Sequence, residues 1–164
     1  MTSESLVLRR GGAADLPFVM ATERMPGFDA LVGRWDEARH GAALADGRHA
    51  YFIASRAGEP TGFAIFRDWA SPERVALLKR IAVSRPGAGL GTPMLRALTA
   101  VAFRDTDVHR IWLGVFPDNA RARRAYEKAG FQAEGIARGS AFFGGAHRDE
   151  LIMAILRTDG SAAP

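Results

Sequence analysis

The chain has 164 residues, 48% hydrophobic and 24% charged, a length and balance that fit one soluble globular domain able to bury its own core. The absence of cysteine excludes disulfides, thiolate catalysis, Cys-ligated zinc and iron–sulfur clusters, and no apolar run approaches the ~18 residues that a membrane span requires. The formal charge of +4 comes from 22 basic and 18 acidic residues. Lys79 and Lys128 are the only lysines, and the arginines are scattered from Arg9 to Arg157 with acids between most of them. This reads as a mildly basic surface with some attraction for an anionic ligand, not as a nucleic-acid groove.

In chain order, Leu6–Arg10 reads as a first strand, broken by Gly11-Gly12. A helix is expected from Ala13 to about Arg24, with Pro17 tolerated in its first turn. A second helical stretch is expected from roughly Phe28 to Leu44, closed by Asp46-Gly47. Strands at Ala50–Arg56 and Thr61–Arg67 flank a hairpin connection at Gly58-Glu59-Pro60, and a third follows at Val75–Val83. After the glycine-rich loop Arg85–Gly91, Met94, Leu95, Leu98, Val101 and Ala102 recur at helical spacing, with Thr92 as N-cap and Pro93 as first helical residue. Ile111–Phe116 is a strand. The next helix carries Ala122, Ala125, Tyr126 and Ala129 on one face and ends at Gly130, with Phe131 folding back as the hydrophobic partner of a left-handed cap. Strands at Gln132–Gly139 and Leu151–Leu156 meet through Gly144-Gly145. Residues 1–158 are expected to form one domain and 159–164 a frayed tail.

The chemically informative unit is the strand, loop and helix running from Leu77 past Thr92. Glycines at 87, 89 and 91 remove side chains that would hold an anion away from backbone amides, and the helix start adds partial positive charge and unpaired donors. Pro86 and Pro93 donate nothing, so the useful amides are those of Gly87, Ala88, Gly89, Leu90, Gly91 and Thr92. No Lys-Ser or Lys-Thr follows, which removes a P-loop, and the spacing is G-x-G-x-G where a dinucleotide fingerprint has G-x-G-x-x-G. A tight turn without a ligand explains an isolated loop of this kind equally well.

The run Leu78-Lys79-Arg80-Ile81-Ala82-Val83 followed by Pro86-Gly87-Ala88-Gly89-Leu90-Gly91 resembles the acetyl-CoA-binding motif of the GCN5-related N-acetyltransferase (GNAT) family. The stretch from Asn119 through Ala125-Tyr126 to Gly130-Phe131 resembles that family's second signature, and Leu8–Pro17 and Arg148–Met153 resemble its first strand and helix and its last strand. The nearest flavour is the branch of ribosomal-protein N-terminal and related amine acetyltransferases. The resemblance implies an α/β fold: a central, mostly antiparallel twisted sheet with a splayed parallel strand pair, flanked by helices. It implies acetyl-CoA as co-substrate, with main-chain contacts from Ile81, Ala82 and Val83, the pyrophosphate on Gly87–Thr92, and Asn119 on the pantetheine arm. Locally, Asn119 also fits as a helix-start asparagine. Tyr126 matches the residue that returns a proton to the departing thiolate, although its place on an apolar helix face also suits a core tyrosine.

The implied reaction is direct attack of a neutral amine on the thioester, with backbone amides including Val83 N–H polarising the carbonyl. A lysine-like amine costs about 4.6 kcal/mol to deprotonate at pH 7 and an α-amine about 1.4. The sequence departs from the family at Leu77, where relatives often carry glutamate; Glu73, Glu23 and His109 are the substitutes considered, each also at home on a solvated surface. Trp112 is expected in the core, and Trp35 and Trp69 near the acceptor. The four histidines lack metal-ligand spacing, so no metal is expected. The alternatives are a non-catalytic acyl-CoA-sensing module and a small NAD-binding domain. The acceptor is expected to be a small-molecule or peptide amine. No membrane or nucleic-acid partner is expected, a homodimer is allowed without a specified interface, and Met1–Ser5 shows no signal-peptide pattern, so the cytoplasm is the expected compartment.

Overall fold

A computed structural model describes residues 5–26, 28 and 33–161. Among them, β1 (Val7–Arg10) leads through a 3-10 turn (Ala13–Asp15) into α1 (Leu16–Glu23), followed by α2 (Glu37–Ala45), β2 (His49–Arg56), β3 (Glu59–Arg67) and β4 (Val75–Val83). Then come α3 (Gly91–Asp105), β5 (Arg110–Val115), α4 (Ala120–Lys128), β6 (Gln132–Phe143), β7 (Ala146–Leu156) and a closing 3-10 turn (Arg157–Ser161). The seven strands form one sheet in the order β1-β2-β3-β4-β5-β7-β6. Only the β4–β5 pair is parallel, the others being antiparallel, which is the architecture expected. No described helix is long and apolar enough to cross a membrane.

Strand alternation divides the core between two faces. Ala50, Phe52 and Ala54 of β2 and Ala64 and Phe66 of β3 pack with Met94, Leu95, Leu98 and Ala102 of α3. Their neighbours Tyr51, Ile53, Phe63 and Ile65 pack with Leu16 and Val19 of α1, Ala43 of α2 and Trp35. The helix pair α3/α4 therefore covers one face and α1/α2 the other.

The expected and observed elements differ at five places. The second helix begins at Glu37, where Asp36 accepts a hydrogen bond from Arg39 N–H at 2.8 Å; Phe28 and residues 33–36 are irregular, and residues 29–32 lie outside the described set. The β2–β3 turn is Ala57-Gly58, and Pro60 sits inside β3 opposite Ser55, where the register shifts. Helix α3 starts at Gly91 because Leu90 already has right-handed helical dihedrals, so Thr92 lies within the first turn and is not the cap. The β6–β7 hairpin extends to Phe143 and Ala146, beyond the expected ends at Gly139 and Leu151, with Gly144-Gly145 still forming its turn at positive φ. Residues 157–161 form the closing turn, with Asp159 accepting from Leu156 N–H; residues 162–164 lie outside the described set.

Two features open the sheet. Ladder pairing between β4 and β5 covers only Val75–Leu77 against Arg110–Trp112. On the opposite edge of β4, Ile65 pairs with Arg80 and Phe66 with Leu78, leaving Lys79 as the extra residue of a bulge. Bulges bend strands and concentrate beside active sites. Beyond this one, β4 parts from β5.

A candidate active-site cleft between the splayed strands

The parted strands border a cleft of about 1000 Å³. At one end lies the glycine loop. Gly87 and Gly89 have φ of +86° and +75°, the left-handed region that side chains disfavour, so the loop's backbone faces are open to a ligand. Helix α3 begins without a side-chain cap, which leaves first-turn amides available to an anion. Arg121 and Arg124 of α4 line the same end.

Most of the predicted site residues meet here. Ile81, Ala82 and Val83 form the β4 wall, and Gly87, Gly89, Leu90, Gly91 and Thr92 form the loop end. Ala88 is exposed on the loop and is not among the lining residues. Asn119 lines the cleft and also caps α4, its Oδ1 accepting from Ala122 N–H at 3.3 Å, as the helix-start reading expects.

Tyr126 is half-buried on the cleft wall. It is held by a cap of the expected kind: Phe131 N–H donates to Tyr126 O and Gly130 N–H to Glu127 O, each at 3.0 Å, with Gly130 at φ +105°. The Phe131 ring lies 5.9 Å from the Tyr126 ring, edge to face. Burial pushes the Tyr126 phenol up to about 12, so it keeps its proton and remains a donor.

The residues considered as bases do not gather in the cleft. Leu77 is buried. Glu73 and His109 are exposed, and neither lines the cleft. Glu23, expected at the surface, is fully buried, because α1 turns it toward a polar cluster under the sheet. Its Oε1 accepts from Arg80 Nη1 at 2.8 Å, its carboxylate meets His40 Nε2 at 3.0 Å and Arg24 Nη1 at 3.3 Å, and His40 Nδ1 lies 2.5 Å from the Tyr51 hydroxyl. The carboxylate can only accept, so His40 donates to it from Nε2. Burial lifts the Tyr51 phenol above its usual range. Burial also pulls the Arg80 guanidinium down, with the Glu23 charge opposing it.

The tryptophans separate as well. Trp35 is buried at the cleft wall with the guanidinium carbons of Arg39 and Arg80 over its ring at 4.4 and 4.7 Å. Trp69 packs on Phe52 and Phe66 outside the cleft. Trp112 is half-buried, not core, because its side of β5 lies away from α3. Of the two tryptophans expected near the acceptor, Trp35 borders the cleft and Trp69 does not; sequence reasoning overlooked Arg39 and Glu150, which line the cleft, and the burial of Glu23. The available signal was an acid in the otherwise uncharged run Leu16–Glu23, which points to a buried partner.

The profile of the acetyltransferase (GNAT) family matches residues 19–131. A probable N-acetyltransferase of Bacillus subtilis, YjcK, is 41% identical over 73 residues, 44% of this chain and 40% of that protein; the match therefore spans less than half of the relative. The structure of AAC(6')-Ib with paromomycin and acetyl-CoA superposes with a TM-score of 0.81 at 24% identity, covering 98% of both chains. The Vibrio cholerae spermidine N-acetyltransferase with CoA and spermine gives 0.81 at 22% identity, covering 94% of this chain and 97% of that one. These likenesses are to aminoglycoside and spermidine enzymes, and the expected closeness to the ribosomal-protein branch is not supported.

Proposed function

The chain belongs to the acetyltransferase (GNAT) family, and from that premise we propose that it transfers the acetyl group of acetyl-CoA to a primary amine of a small molecule or peptide N-terminus. The observation that carries this reading is one cleft joining the glycine loop, the unpaired edge of β4, Asn119 and Tyr126. Acetyl-CoA would supply an activated thioester whose phosphates suit the loop amides and whose pantetheine arm suits the β4 edge. Gly87 and Gly89–Thr92 hold the phosphates, the main chain of Ile81–Val83 aligns the arm, Val83 N–H polarises the carbonyl, and Asn119 contributes its side-chain amide. Tyr126 returns a proton to the thiolate. CoA is a fair leaving group, with a thiol pKa near 8.5, so this proton assists the rate without deciding it.

No side chain is assigned as general base. An acceptor with an amine pKa near 8 needs little help, its deprotonation at pH 7 costing about 1.4 kcal/mol. The activity of AAC(6')-Ib or spermidine N-acetyltransferase suggests amines as the acceptor class, and we assign no single compound. The domain is taken as residues 1–158 and the compartment as cytoplasm. An NAD-binding domain leaves Tyr126 and Asn119 in the same cleft by coincidence, and an acyl-CoA-sensing module leaves Tyr126 without a role.

A thermal shift with acetyl-CoA, CoA and NAD side by side tests the reading. A ligand at 100 times its Kd adds about 2.7 kcal/mol, roughly 5–11 °C for a domain of this size. Shifts with both CoA species and none with NAD, followed by thiol release with an amine panel, are expected. A shift with NAD alone, or with nothing, overturns it.

A further inference from the structure

The far end of the cleft is bounded by the segment before α2, the β4 bulge and the β6–β7 hairpin. Its charges are uneven. Arg39 and Arg80 stack on Trp35. Arg80 is fixed from behind by Glu23, so its guanidinium is preorganised. Lys79 projects from the bulge; burial and then the charges of Arg67, Arg80 and Arg39 hold its ammonium below the usual lysine range, with Glu150 opposing. Arg39, Lys79 and Arg80 thus share one wall, and Arg34 lines the same cleft.

Glu150 is the one carboxylate among the described residues lining the cleft. Its carboxylate lies over Gly114, where a β-carbon would collide with it, and accepts from the Ser140 hydroxyl at 2.9 Å. No salt bridge to it is found among the described residues.

We propose that the acceptor is an amine carrying an anionic group a few bonds from its nitrogen, the ammonium or amine meeting Glu150 and the anion meeting the exposed side chains of Arg39 and Lys79, with the buried charge of Arg80 behind them. This rests on the acetyltransferase reading. A polycation would place a second positive charge against this cationic wall, where like charges repel; a zwitterionic amine places each charge opposite its complement.

The test measures binding to the CoA-loaded protein, by calorimetry, of four short amines: β-alanine, O-phosphoethanolamine, 3-amino-1-propanol and 1,3-diaminopropane. The two anionic amines are expected to bind at least about tenfold tighter than the diamine, equivalent to 1.4 kcal/mol, with the neutral alcohol between. Whichever anionic amine is tighter identifies carboxylate or phosphate as the preferred group. Arg39→Glu and Lys79→Glu are expected to reverse the order, with CoA affinity as the folding control; a merely structural loss would weaken all four together. Equal binding of all four, binding of none, or preference for the diamine while CoA still binds overturns the inference alone. Failure of CoA itself to bind overturns the acetyltransferase reading and this inference with it.

Discussion

At the loop end of the cleft, Gly87 and Gly89–Thr92 offer backbone amides and a helix start, while Ala88 is turned outward with its N–H on Arg85 O. The far end draws on Trp35, Arg39, Lys79, Arg80 and Glu150, brought together from α1–α2, β4 and β7, with Glu23 behind Arg80. The first end is made of main chain and needs only local geometry and small residues. The second is made of side chains whose positions depend on partners far away in the chain. A backbone cradle recognises phosphate by shape and dipole and tolerates much variation around it. A side-chain cluster can be retuned one residue at a time, which is how one fold serves many acceptors.

The largest effect comes from breaking the loop end. Gly89→Arg places a side chain on a residue with φ +75° at the mouth of the cradle. Because the loop is exposed, the fold should stand while calorimetry shows no acetyl-CoA binding, and the ligand-induced thermal shift disappears. If the variant binds normally, the loop does not hold the phosphates.

Breaking the support of the far end acts on stability. Glu23→Ala leaves Arg80 and His40 without their buried carboxylate, and removing one partner of a buried pair costs about 3–5 kcal/mol. That corresponds to a Tm lower by on the order of 10 °C, read by calorimetry or circular dichroism. Acetyl-CoA affinity below the new midpoint should hold, since the loop is untouched. A loss of less than about 1 kcal/mol would mean the cluster is solvated in solution.

Between the two ends stands Tyr126. Tyr126→Phe should lower kcat about tenfold, below the roughly 10²–10⁴-fold typical of general acid catalysis because the thiolate leaves readily, with acetyl-CoA affinity unchanged. Because burial holds the phenol up to about 12, the pH–rate profile of the unaltered protein should rise as the acceptor amine loses its proton. No descending limb from Tyr126 should appear below about pH 10. A profile identical in the two proteins, with chemistry rate-limiting, removes Tyr126 from the mechanism.

The smallest effect is expected at neither end. Arg110 and Glu134 form a two-pronged ion pair at 2.7 and 2.8 Å on the sheet's outer surface. Surface pairs contribute less than about 1 kcal/mol. Hydrogen bonding to Arg110 holds the Glu134 carboxyl below its usual range, so the contribution is present above the ordinary carboxylate pKa and fades as pH falls through the lowered folded value. Glu134→Gln should therefore shift Tm slightly at pH 7, hardly at pH 3, and leave ligand binding alone.

Much of this molecule is local and so could be read from the chain. The order of strands and helices followed from periodicity, and the Gly130–Phe131 cap from residue type, because each depends on neighbours within a few positions. The glycine loop was legible for the same reason, and Asn119 and Tyr126 followed once the two motifs were recognised together. Tertiary structure decided what depends on contacts across the chain. The bulge at Lys79 and the early end of β4–β5 pairing are properties of three strands jointly, and no single strand's pattern carries them. Glu23 looked like a surface acid until β4 brought Arg80 to it from 57 positions away. Glu150 gained its place over Gly114 only when β7 paired with β5. Side-chain charge is written in the sequence; which charges meet, and whether water is present between them, is set by packing, and packing is what turns the far end of the cleft into a site.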